Sequence, residues 1–128
     1  MTLLDMDSPE KFAAAWREAW NSHDLDAILA HYTDDVVFTS PAAQRLVGGD
    51  GVLRGKDALR EYWRNGLELI PDLHFEVEAV YAGVDTLVIN YRNQVGNLVC
   101  EVLHFDGDLV REGHGTYRDT TNPEGATT

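Results

Sequence analysis

The chain has 128 residues, 44% of them hydrophobic and 25% charged, a mixture that fits one compact domain and excludes a disordered or fibrous chain. Ten Lys plus Arg against twenty-two Asp plus Glu give a formal net charge of −12; such a surface repels phosphate backbones and anionic headgroups, so neither nucleic acid nor a membrane is an expected partner. No apolar run approaches the roughly 20 residues that span a bilayer, and Asp5 and Asp7 stand where a secretory leader would be basic and then apolar, so a soluble, cytoplasmic protein is expected.

Ser8-Pro9-Glu10 opens a helix with a hydroxyl cap, a proline at the first position and an acid near the positive end of the dipole. Phe12, Ala15, Trp16, Ala19 and Trp20 fall on one helical face, and Asn21-Ser22-His23 offers an ending. Asp24 caps a second, shorter helix whose stripe is Leu25, Ile28, Leu29 and Tyr32. Val36-Val37-Phe38 reads as a brief strand ended by Ser40-Pro41. Glycines crowd residues 42–55, which predicts a small hairpin with a mobile tip rather than a regular element. A third helix starts at Lys56, runs along Leu59, Tyr62, Trp63, Gly66, Leu67 and Ile70, and stops at Pro71.

The period then changes from helical to alternating. Leu73, Phe75, Val77, Ala79 and Tyr81 alternate with His74, Glu76 and Glu78, the pattern of a half-buried strand, and Gly83-Val84-Asp85 turns it. Residues 86–93, 97–106 and 109–117 form further strand candidates, the last two joined by Asp106-Gly107-Asp108, a hairpin signal. Helices followed by an antiparallel meander define an α+β domain, expected over residues 1–118 with a flexible tail at 119–128. Cys100 is alone, so no internal disulfide or thiolate cluster can form, and it reads as a small buried residue.

With this element order, Asn21-Ser22-His23-Asp24-Leu25-Asp26, Tyr32-Thr33-Asp34-Asp35-Val36 and Pro71-Asp72-Leu73 make the chain resemble the nuclear transport factor 2 superfamily, and within it the SnoaL-like and ketosteroid-isomerase-like branch. The resemblance implies a cone: a strongly curved, mostly antiparallel sheet wrapped around three N-terminal helices, with an apolar ligand pocket at its open end. Fold does not give function here, because the scaffold carries many chemistries. The residues that serve a ketosteroid isomerase are replaced: Trp16 stands where that family has a tyrosine, Ser40 where it has its aspartate base, and Leu103 where it has a second aspartic acid. A hydroxyl without an activator cannot replace a carboxylate base, so classical steroid isomerisation is not expected.

The resemblance further implies which side chains face into the cone: Thr86, Val88, Asn90 and Arg92 on one strand, Val99, Glu101, Leu103 and Phe105 on the next, and Val110, Glu112, His114 and Thr116 on the last. SnoaL-like cyclases carry an acid/base aspartate on the last strand, eight residues beyond the aspartate of the Asp-Gly turn, and here that count reaches His114. His114, Glu112 and Glu101 are thus the candidate proton-transfer groups, an imidazole oriented by carboxylates being suited to moving a proton near neutrality. Trp16, Tyr32, Phe38, Ser40, Trp63, Asn90, Arg92, Leu103 and Phe105 are the candidate lining residues, although packing is the ordinary role of such aromatics. His74 and His104 would face away from the cone, and no pair of histidines shows metal spacing on one face, so neither metal nor cofactor is expected.

The implied function is a small cofactor-free protein that takes an apolar carbonyl compound into the cone and catalyses proton transfer, cyclisation or dehydration. The alternative is a non-catalytic ligand-binding or assembly domain of the same fold. A homodimer through the outer sheet face is expected, with Leu87, Ile89, Tyr91, Leu98, Cys100 and Val102 assigned to that face. Residues 42–53 are expected to cover the pocket entrance as a mobile loop.

Overall fold

The computed structural model describes residues 8–119, so most of the expected tail lies outside the described residues. Its elements are α1 (Ser8–Asn21), α2 (Leu25–Leu29), β1 (Tyr32–Thr39), α3 (Pro41–Val47), β2 (Val52–Arg54), α4 (Lys56–Leu69), β3 (Glu76–Gly83), β4 (Thr86–Arg92), β5 (Leu98–Asp106) and β6 (Leu109–Tyr117). The strands form one six-stranded sheet in the order β2-β1-β6-β5-β4-β3. All pairings are antiparallel except that of β1 with β6.

The helices fold as their stripes dictate. Phe12, Ala13, Trp16, Ala19 and Trp20 bury one side of α1, and Leu59, Tyr62 and Trp63 bury one side of α4. Asp24 caps α2 by accepting from the Ala27 amide at 3.1 Å. Asn21, last in α1, acts as a splint: its side chain donates to the Phe75 carbonyl at 3.0 Å and accepts from the Phe75 amide at 2.8 Å. That paired contact ties the end of α1 to the entry of β3, so the aromatic rings of both segments meet.

Bulges bend the sheet around these helices. Register shifts occur between Val77 and Ala79 on β3, between His104 and Phe105 against β6, and between Tyr32 and Val37 on β1. Each extra residue increases local twist and bends its strand, and together they curl the sheet into the cone.

The sequence expectations need correction at two places in this frame. The segment after Ser40 holds a helix, not a hairpin: Ser40 caps α3 by accepting from the Ala42 amide at 3.1 Å, and Pro41 takes the first helical position. This is the Ser-Pro signal that opens α1, outweighed in the sequence by the glycines that follow. Tyr32 begins β1 rather than closing α2, and the strand runs eight residues.

Candidate functional site

The inner face of the sheet is set by cross-strand register. Leu87, Ile89 and Tyr91 on β4 stand opposite Leu103, Glu101 and Val99 on β5, and all six are buried. The β4 expectation is therefore reversed. Thr86, Val88, Asn90 and Arg92 point outward, while the apolar alternates Leu87, Ile89 and Tyr91, expected on the outer face, fill the cone. Burial of apolar area outweighs any positional likeness here.

On β6 the bulge changes the phase. Val110 opposes Phe105 and is buried, but Glu112 opposes His104, so Arg111 is the extra residue and everything beyond it is turned over. Gly113 and Gly115 take the inner positions, and Glu112, His114 and Thr116 the outer ones. Space is tight at Gly113, where a Cβ would lie 3.1 Å from Phe38 Cδ1 and 3.3 Å from Leu103 Cδ2, whereas at Gly115 it would meet its nearest neighbour, Ser40 Oγ, at 3.6 Å. His114 and Glu112 thus stand outside the cone, and of the three candidate proton-transfer groups only Glu101 faces into it.

A cavity of about 140 Å³ opens between α1, α3, α4 and the strands. Trp16, Trp20, Phe38, Trp63, Phe75 and Tyr91 form its aromatic wall, with Phe75 and Tyr91 at 4.3 Å, Trp20 and Trp63 at 4.9 Å and Trp16 and Tyr91 at 5.3 Å between ring centroids. Ala42 and Leu46 of α3 line it too, so the segment expected as a loop contributes a helical wall. Ser40, Tyr62, Glu101 and Tyr117 supply the polar surface. Tyr32 is buried beside the cavity, accepting from the Trp16 indole at 3.3 Å. Leu103 and Phe105 point inward but pack as core without lining it, and Asn90 and Arg92 lie outside.

Glu101 is the chemical centre of this wall. It is 6% exposed, and its Oε1 accepts from the Tyr91 hydroxyl at 3.0 Å. Among the described residues no cation pairs with it. Burial pushes its carboxyl up to about 7, partly offset by the Tyr91 hydrogen bond. Burial also raises the phenols of Tyr32, Tyr62, Tyr91 and Tyr117, and the charge of Glu101 raises each further. The site therefore holds a carboxyl able to exchange a proton near neutrality, ringed by phenols that stay protonated and can donate. The Trp20 ring lines the cavity, while its indole N–H is buried without an acceptor among the described residues.

Outside the cone, His114 Nε2 lies 2.8 Å from Glu112 Oε2 and holds that carboxyl below its ordinary value. His104 stands beside them, its ring 5.9 Å from that of His114. This corrects the expectation that no histidine pair shares a face: the pair is formed across strands, and the β6 bulge turns His114 toward His104. No helix among the described residues is long and apolar enough to cross a membrane.

A SnoaL-like domain model matches residues 13–125, and the chain belongs to that family. It is similar to a SnoaL-like protein of unknown function from Burkholderia thailandensis, with 46% identity and a TM-score of 0.82 over 87% of this chain and 95% of that one. More distantly it shares its fold with AclR, a putative hydroxylase from Streptomyces galilaeus, at 21% identity, TM-score 0.69 and coverage of 89% and 91%. It shares it also with TerC, crystallised with polyporic acid, at 12% identity, TM-score 0.72 and coverage of 86% and 91%. No curated protein matches the sequence.

Proposed function

We propose that the chain binds a small apolar carbonyl compound in the cone and that Glu101 carries a proton between its carbon and oxygen positions. The observation behind this reading is Glu101 itself, a carboxyl buried in an aromatic cavity with a phenol donor and, among the described residues, no counter-ion. Keeping an ionisable group in such a place costs stability, and perturbed carboxyls in clefts are where acid–base chemistry is built. With its proton exchanging near neutrality, Glu101 can accept a proton from a carbon beside a carbonyl, while protonated phenols stabilise the enolate oxygen.

One feature favours the non-catalytic alternative: about 140 Å³ is below the roughly 300–1,000 Å³ of pockets for drug-sized ligands. A compact guest, or opening of α3, is needed. The reading also includes a homodimer through the outer face, where the exposed ring of Tyr81 lies in register with Val88 and Val102. The test is exchange of carbon-bound protons in deuterated water, screened over small apolar ketones and quinones. Glu101→Gln should slow turnover by about 10²-fold or more, the usual size of an acid–base contribution, while still binding the compound. Unchanged turnover in that variant would remove Glu101 from the chemistry.

A further inference from the structure

On the outer face of the sheet, three side chains converge that the cavity does not use. His104 on β5 stands directly opposite Glu112 on β6, and His114 lies two residues along β6, opposite Val102. One ligand atom from each lies within 4.8 Å of the other two. All three are half-buried, and the two rings meet at 74° with their centroids 5.9 Å apart, so they are not stacked.

Each imidazole is held from behind by a threonine on the next strand. Thr39, opposite His114 on β1, brings its hydroxyl to 2.7 Å from His114 Nδ1, and Thr86, opposite His104 on β4, brings its own to 3.2 Å from His104 Nδ1. Thr86 already donates its hydroxyl proton to the Val84 carbonyl at 2.8 Å. Its oxygen therefore accepts from His104 Nδ1–H, which leaves Nε2 of that ring with a bare lone pair. Metal-binding histidines are oriented in this way, with the second nitrogen engaged by a neighbouring acceptor.

We propose that His104, Glu112 and His114 form a site for a single divalent cation of the zinc type, with Thr39 and Thr86 as positioning residues. Two imidazole nitrogens and one carboxylate oxygen are a borderline donor set, suited to zinc or its d-block neighbours and not to magnesium or calcium. Zinc takes bonds of about 2.0–2.2 Å and a tetrahedral arrangement, which places its ligand atoms roughly 3.3–3.5 Å apart; here no pair exceeds 4.8 Å and Glu112 Oε2 and His114 Nε2 are hydrogen-bonded at 2.8 Å, so the ion takes the place of the proton between those two as the side chains rotate onto it. Three protein ligands leave a fourth position for water or another donor. Arg111 Nη1, 3.7 Å from Glu112 Oε1 and 55% exposed, can hold the second carboxylate oxygen or swing into solvent. The site lies across the sheet from Glu101, which opposes Gly115 and faces the cavity, so it stands or falls apart from the proposed proton transfer.

The test is calorimetric titration of the chelator-treated full chain with Zn²⁺, with Co²⁺ absorption as a report of coordination. The expected result is saturable binding of one ion per chain, tetrahedral Co²⁺ bands, and a melting temperature raised by Zn²⁺. His104→Gln and Glu112→Gln should weaken binding by about 100-fold or more and Thr86→Val by about 10-fold or more, since losing a group that orients a metal ligand costs about 10–100-fold. His74→Gln, at an exposed position, should leave it unchanged. Should His104→Gln fail to fold, Glu112→Gln decides, because its side chain is 38% exposed and carries no core packing. No saturable Zn²⁺ binding by the wild type, or equal affinity in Glu112→Gln, overturns the proposal.

Discussion

At the scale of single residues, one carboxyl carries the most physical consequence. Glu101 has a native-state value raised from 4.5 to about 7 by burial, so between those values the folded chain binds more protons than the unfolded one. The stability contributed by the protonated form is complete below the unfolded value and is lost as pH rises through the folded one. At about 1.4 kcal/mol per unit, the loss is on the order of 3 kcal/mol. Glu101→Gln should abolish it: denaturant unfolding of the variant relative to wild type should show a stability gain that grows from pH 4.5 to 8. A difference that is flat across that range would show that Glu101 is solvated. Gly113 illustrates the opposite constraint, where space and not charge decides. Gly113→Ala gains a few tenths to about 1 kcal/mol by restricting the unfolded chain, yet its Cβ meets Phe38 and Leu103, both enclosed in the core. Overpacking costs about 1–3 kcal/mol, so net destabilisation near 1 kcal/mol is expected in thermal unfolding; a stabilised variant would mean the β6 face is misassigned.

At the scale of elements, the helices and long strands were legible because one period ran uninterrupted through each. The stripes of α1 and α4 and the limits of β5 and β6 follow from local pattern. What the sequence hid were interruptions of period. The bulge at Arg111 inserts one residue between Val110 and Glu112, so the resemblance, which sets Val110, Glu112, His114 and Thr116 on one face, holds for Val110 and fails for the three beyond it. On β4 both sets of alternates contain apolar residues, so local pattern does not separate Thr86, Val88, Asn90 and Arg92 from Leu87, Ile89 and Tyr91, and the resemblance points to the wrong set. Pairing Ile89 with Glu101 is a long-range fact that no local pattern contains. The α3 helix was legible in principle from Ser40-Pro41, but Gly48, Gly49 and Gly51 follow it and adopt positive φ, so the turn chemistry masked the short helix before it.

At the scale of the whole molecule, the sheet separates two chemistries. Its inner face closes an aromatic cavity around Glu101, and its outer face carries a histidine and carboxylate cluster beside the apolar row of Tyr81, Val88 and Val102. If that row pairs two chains, sedimentation should give a dimer at micromolar concentration, and Val102→Glu should shift it to monomer without lowering the monomer's helical signal; a wild-type monomer at that concentration contradicts the pairing. The cone itself was legible, since element order and the Asn21–Asp26 and Pro71–Leu73 motifs lead to it, whereas the composition of the pocket had to wait for the register. Carbon-13 NMR of the Glu101 carboxyl, followed from pH 4 to 9 with and without a cavity-bound ketone, reads directly whether this group holds a proton near neutrality and meets the ligand. The expected titration midpoint lies near 7 and moves when the ketone binds. A midpoint at the ordinary glutamate value near 4.3, indifferent to the ligand, would contradict it.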